Sequence, residues 1–248
     1  MVRSGGRGGR LGRMETYLIG GGWDEAAASL VYGPFLAAAG PVSAVACLLI
    51  DEGVGAADFG RYEAALRTVA PCRPYPVLVP PGGELDPAAL DGAAALLVCG
   101  GLTPAYGDVL APHAGLLPRV PYAGFSAGAA VAADLALVGG WRADGIPVCP
   151  EETAEDLDEI TLRPGLGLVP CTVEAHAAQW GTLARLIETV ARGDVAVGVA
   201  IDENTLLTVE DGRCAVDGLG RVHLVRAGET TTVRSYRAGE TFTLSRVL

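Results

Sequence analysis

The chain contains no lysine: all eighteen basic residues among its 248 are arginine. That excludes a Schiff-base lysine, a phosphate-loop lysine and a serine–lysine dyad. Histidine occurs three times, at His113, His176 and His223, and the only side-chain amides are Gln179 and Asn204. Candidates for proton transfer are therefore few. The six cysteines (Cys47, Cys72, Cys99, Cys149, Cys171, Cys214) form no C-x-x-C pair and have no histidine at ligand spacing, so no metal site is expected. They read as scattered, buried thiols of a reducing compartment. No apolar run reaches the roughly 18 residues of a membrane span, and no charged-then-apolar leader with a cleavage site is present. The expectation is a cytoplasmic protein with no membrane partner.

What is present is apolar and acidic. Half of the residues are hydrophobic and 19% are charged, which excludes disorder for most of the length and supplies a sizeable core. The formal net charge is −11, although residues 1–13 hold four arginines, five glycines and no acid. That segment is expected to be a disordered Arg/Gly-rich tail, with residues 14–248 as a single domain. An acidic surface repels phosphates, so no nucleic-acid partner is expected.

Apolar runs bounded by glycine, proline or aspartate occur at 16–20, 42–50, 75–79, 93–99 and 122–125, as buried parallel strands would. Helical patterns lie between them at 24–39 and 58–70, and again at 127–136. This alternation predicts an α/β fold, a parallel sheet covered by helices on both faces. Residues 139–170 carry only short elements, 179–191 read as a helix and 195–201 as a strand. From residue 205 to 248 short β-type runs alternate with Asp-Gly and Ala-Gly turns, an antiparallel trailer.

One motif carries chemistry. Gly124-Phe125-Ser126-Ala127-Gly128 matches G-x-S-x-G between a strand and a small-residue helix. Small residues two before and two after the serine let strand and helix cross without clashing. The helix N-terminus then offers free N–H groups where an oxyanion would form, so Ala127 is a candidate donor and Gly101, after another strand, a second. The serine needs a base, and His176 or His223 is the candidate.

Ile19-Gly20-Gly21-Gly22, Val31-Tyr32-Gly33-Pro34-Phe35, Gly100-Gly101, the Ser126 elbow, Gly165-Leu166-Gly167-Leu168 and Ile201-Asp202-Glu203-Asn204-Thr205 occur in that order. Together, over roughly residues 16–210, they resemble the dipeptidase E and cyanophycinase family of serine peptidases. The resemblance implies a flavodoxin-like parallel sheet, like that of the class I glutamine amidotransferases. It places the nucleophile on Ser126 and, through the Glu174-Ala175-His176 pattern, the base on His176. It places the third member on Asp144 after Gly139-Gly140, with Glu151, Glu152 and Glu174 in reserve. Two departures fall on the substrate side. Leu102 and Thr103 replace the family's polar residues after the Gly-Gly pair, and Ala177 replaces an aromatic, with Gln179-Trp180 further on.

The implied reaction is cleavage of an amide bond in a short peptide or isopeptide, through an acyl-enzyme and without cofactor. Leu102, Thr103, Arg163, Glu174, Gln179 and Trp180 are the candidate substrate contacts. An aspartyl substrate would want a cation, for which Arg142, Arg163 and Arg185 are available. A β-aspartyl-arginine substrate would want acids, which the stretch 151–159 supplies six times over. Two rivals stand beside this reading. One is an α/β-hydrolase-type esterase using Ser126, Asp202 and His223. The other is a non-catalytic binding protein on the same fold. A homodimer through an apolar face of the trailer stays open.

Overall fold

The computed structural model of the protein describes residues 15–244. The Arg/Gly-rich segment 1–13 lies outside them. Five apolar runs form strands β1 (Thr16–Ile19), β2 (Ala44–Ile50), β3 (Arg73–Val79), β4 (Ala95–Val98) and β5 (Tyr122–Phe125). They lie side by side in the order β3-β2-β4-β5-β1, every pair parallel.

A strand sends alternate residues to opposite faces, and here both faces are buried, which is why the runs are apolar without alternation. Tyr17, Ile19, Cys47, Leu49, Leu97 and Phe125 point to one side. There they meet Val31, Tyr32 and Phe35 of α1 (Ala28–Ala39) and Tyr62 and Leu66 of α2 (Gly55–Val69). Leu18, Leu48, Leu96 and Val98 point to the other side. Their partners are Tyr106, Val109 and Leu110 of α3 (Thr103–Leu110) and Ala127, Ala129 and Val131 of α4 (Ala127–Val131). Each large side chain so enclosed contributes about 1.5–3 kcal/mol of burial.

Helix α4 is shorter than the sequence suggests. The stretch 127–136 has high helical propensity, yet the helix stops at Val131. The incoming segment around Gly167 takes its end: the N–H groups of Leu166, Leu168 and Gly167 donate to the carbonyls of Val131, Ala132 and Ala133. Tertiary hydrogen bonds there override propensity. The chain continues as β6 (Leu135–Gly139), then as a small hairpin of β7 (Arg142–Ala143) and β8 (Ile146–Pro147). Next comes β9 (Thr161–Pro164), which returns antiparallel to β6.

The remaining elements are β10 (Thr172–Glu174), α5 (Leu183–Ala191), β11 (Val197–Ile201), β12 (Thr205–Glu210), β13 (Arg213–Gly218), β14 (Arg221–Arg226), β15 (Thr232–Arg237) and β16 (Thr241–Thr243). The strands after residue 204 divide between two sheets. β12, β13 and β16 continue the central sheet antiparallel beyond β1, making eight strands. β14 and β15 join β10 and β11 in a four-stranded sheet. Val173, Val199, Val222 and Leu224 of that second sheet share a core cluster with the α3 and α4 side of the central sheet.

The protein is thus a mixed α/β fold around a large, mostly parallel sheet. The segments leaving the C-terminal ends of β1, β4, β5 and β10 carry Gly20–Gly22, Gly100–Gly101, Ser126 and His176. Ends of parallel strands, where successive connections diverge, are where open α/β sheets place their sites.

Candidate active site

Ser126 stands between β5 and α4 with φ +53° and ψ −109°, a strained conformation for a residue with a side chain. The strain is held from both sides. Its N–H donates to the Ile19 carbonyl at 2.9 Å, and the Gly128 N–H donates to the Cys99 carbonyl at 3.2 Å. The flanking glycines are required by contact: a Cβ on Gly124 would lie 2.2 Å from the Gly128 carbonyl oxygen, and one on Gly128 2.1 Å from that of Val98. The G-x-S-x-G spacing is therefore the steric condition for this turn.

The histidine that reaches Ser126 is His176. Its Nε2 lies 2.8 Å from Ser126 Oγ. His176 follows β10, its backbone also left-handed (φ +54°), and its N–H donates to the Gly20 carbonyl at 2.9 Å. The Gly20–Gly22 segment makes room for it: a Cβ on Gly21, at φ +98°, would sit 2.1 Å from His176 Cε1. The glycines after β1 thus shape the imidazole's berth.

The carboxylate on the far side of the ring is Glu203, with Oε1 2.8 Å from His176 Nδ1. This corrects the assignment to Asp144. Asp144 and Gly145 are the two-residue turn of the β7–β8 hairpin, both at positive φ, the Asp-Gly pair that such a turn selects. Asp144 is exposed at that tip. The reserve Glu174 is buried and bound through both oxygens to Arg185, at 2.8 and 3.0 Å. Glu151 and Glu152 line the cleft in front of Ser126 but do not contact the imidazole.

The Asp202–His223 pair named for the esterase reading exists but does not hydrogen-bond to Ser126, whose Oγ meets His176. His223 Nε2 lies 3.3 Å from Asp202 Oδ1, while its Nδ1 lies 2.8 Å from Ser235 Oγ on the neighbouring strand. Burial pushes the Asp202 carboxyl up, but His223 and the N–H groups of Arg221 and Ala178 outweigh it and hold Asp202 below the usual carboxylate range. Consecutive acids, Asp202 and Glu203, therefore serve two different histidines.

The candidate substrate contacts divide. Leu102 and Trp180 line the cleft with Gly101 and Ser126. Trp180 also stacks on His176, rings 3.8 Å apart and 7° from parallel. Gln179 instead accepts the Glu203 N–H at 2.9 Å and so helps place the acid. Thr103 opens α3 and donates its N–H to Glu155 at 2.9 Å. Arg163 is turned to an ion pair with Asp108, and Glu174 is consumed by Arg185. Of the other arginines offered for an anionic substrate, Arg142 lies over the Trp141 ring. Arg185 spends its remaining donors on the carbonyls of Gly140 and Thr153.

The cleft before Ser126 has a volume of about 790 Å³, and its wall includes Glu52, Glu151, Glu152, Glu155, Asp156 and Asp158, with Trp141 and Trp180. A smaller recess of about 200 Å³ shares Gly101 and Ser126 with the cleft and is lined also by Trp23, Asp58, Arg61 and Tyr62. Each of the chain's three tryptophans lines a cavity that Ser126 also lines. The N–H groups of Gly101 and Ala127 have no hydrogen-bond partner among the described residues.

Desolvation lowers the His176 pKa from its ordinary 6.5, and the Glu203 bond and charge oppose this without reversing it. The imidazole is therefore neutral near pH 7, the form that can accept a proton. Among the described residues no helix is long and apolar enough to cross a membrane. None of their His, Cys, Asp and Glu side chains group as a metal site would require. Comparison with protein-family models and with curated proteins yields no match to the chain.

Proposed function

We propose that the protein is a serine hydrolase that cleaves an amide bond in a short peptide or isopeptide through Ser126, His176 and Glu203. The observation that carries this reading is the continuous chain from Ser126 Oγ to His176 Nε2 and from His176 Nδ1 to Glu203, both links at 2.8 Å. Ser126 Oγ attacks the substrate carbonyl as its proton passes to His176 Nε2. Glu203 fixes the tautomer with Nδ1 protonated and stabilises the imidazolium that forms. The Gly101 and Ala127 N–H groups receive the oxyanion, a donor of this kind contributing about 2.7–4 kcal/mol. His176 then hands its proton to the leaving amine, and water releases the acyl group by the same route.

The ordered motifs shared with the dipeptidase E and cyanophycinase family support this reading. So does the parallel sheet that carries Ser126 at a strand end, although its strand order, β3-β2-β4-β5-β1, differs from the flavodoxin order 2-1-3-4-5. Of the two substrate charges considered, the cleft favours the cationic one. Its carboxylates face the space before Ser126, while Arg142, Arg163 and Arg185 are engaged elsewhere. A β-aspartyl or aspartyl dipeptide with a basic second residue is the best-supported substrate. Across a panel of Asp-X and β-Asp-X dipeptides, kcat/KM for X = Arg is expected to exceed that for X = Leu by about tenfold or more, the equivalent of roughly 1.4 kcal/mol. Turnover of the Leu member at an equal rate contradicts the charge argument. No turnover of any member removes both named substrates.

The lowered His176 pKa also sets a pH profile. The neutral base is the active form, so activity rises with pH through that value. The acid limb of kcat/KM is expected to have its midpoint below 6.5. A midpoint above 6.5 contradicts the histidine environment described here.

A further inference from the structure

Residues 151–158 do more than wall the cleft. The segment is clamped to the histidine's strand, because Arg185, paired with Glu174 two residues before His176, donates to the Thr153 carbonyl at 2.8 Å. It is also clamped to the oxyanion loop. Glu155 Oε2 accepts the Thr103 N–H at 2.9 Å, and Thr103 is two residues from Gly101. Helix α3 has no side-chain cap of its own, since Leu102 stands at its N-cap. Glu155 and its neighbour Asp156 both hold left-handed backbone, at φ +56° and +59°. Two successive non-glycine residues in that region are strained, and strain of this kind persists where the surroundings impose it.

On the reading that Ser126 is the nucleophile, we propose that Glu155 is a positioning residue: its carboxylate fixes the segment 100–103 and so aims the Gly101 N–H at the acyl oxygen. It touches no reacting atom. Two things follow. Losing the carboxylate should slow attack at Ser126 without removing the triad. Protonating it should weaken a charge-assisted bond and act in the same direction.

The groups around Glu155 decide when that protonation occurs. Burial raises its pKa above the usual carboxylate value, and Glu174 pushes the same way. The Thr103 bonds and Arg185 oppose this without cancelling it. Glu52, Glu151, Glu152, Asp156 and Asp158 share the cleft wall. His176 is displaced downward from its ordinary value and Glu155 upward from its own. Protonation of Glu155 should then steepen the loss of activity on the acid side.

The test is the rate of Ser126 phosphonylation by a fluorophosphonate, measured against pH for the full chain, Glu155→Ala and Glu155→Gln. Glu155→Ala is expected to label about 10–100-fold more slowly than wild type at pH 8, a part of the 10²–10³ that an oxyanion donor supplies. Glu155→Gln keeps an acceptor for Thr103 but loses the charge, so it should label at a rate between those of wild type and Glu155→Ala, with an acid limb less steep than that of wild type. A merely structural cap would lower thermal stability and leave both the rate of the folded protein and the limb unchanged. That result overturns the proposal, as does a Glu155→Gln acid limb as steep as that of wild type. If wild-type Ser126 is not labelled at all, the hydrolase reading itself fails, an outcome distinct from labelling that ignores Glu155.

Discussion

Ser126→Ala is expected to lower kcat/KM on the best dipeptide by about 10⁴–10⁶ and to leave the melting temperature within a few degrees of wild type. The size of the loss follows from the triad acting as one unit: without the oxygen, neither the imidazole nor the oxyanion donors have a covalent step to assist. What survives is binding and polarisation of the carbonyl, a residue of about 10³–10⁴ over water in enzymes of this kind. Stability should hardly change. The elbow is secured by the Ser126 and Gly128 N–H groups and by the close approach of Gly124 to Gly128, none of which uses the hydroxyl. His176→Ala should match Ser126→Ala in activity. Parallel assays with calorimetry separate the two effects, and a Ser126→Ala protein with more than a tenth of wild-type activity would refute the nucleophile assignment.

The second large effect concerns the acid. Glu203→Gln is expected to reduce kcat by about 10³–10⁴ with little change in KM. The amide keeps the size of the side chain but removes the charge that balances the imidazolium, and its NH₂ group can favour the wrong tautomer. Asp144→Asn should leave kcat within about twofold of wild type, as surface substitutions do away from such features. An inactive Asp144→Asn beside an active Glu203→Gln would reverse the assignment made from the geometry.

The two halves of the triad differ in how they could be read. The elbow is a local steric problem, settled within five residues, and Gly124-x-Ser126-x-Gly128 states it directly. Ala127 and Gly101 followed from it as strand-end positions. Glu203 could not be found in this way. It meets His176 only because β10 and β11 run parallel, with Glu174 opposite Ala200, so that the ends of the two strands emerge side by side. Nothing within either segment reveals that pairing. Yet Glu203 stood inside the Ile201–Thr205 motif already noted, and a side-chain accounting of that motif was the available signal. Asp144 misled because the resemblance placed the acid after Gly139-Gly140, and the acid found there belongs to a hairpin turn.

The same contrast runs through the fold. The buried parallel strands were legible because an apolar run bounded by turn residues admits few alternatives. The extent of α4 and the division of the late strands between two sheets depend on which distant segments supply hydrogen bonds. The acidic stretch 151–159 was legible only as a supply of acids that a basic substrate would want, and the role argued for Glu155 needs its contact with Thr103. That contact spans 52 residues.

The most direct measurement is intact mass after treatment with a fluorophosphonate, followed by peptide mapping. A single adduct on Ser126, abolished in His176→Ala, is the predicted result. Ser235, which also has a histidine at 2.8 Å, should stay unmodified, since it lies exposed on a strand rather than at a helix N-terminus with free donors. No adduct on folded protein, or an adduct at Ser235 in place of Ser126, would contradict the account.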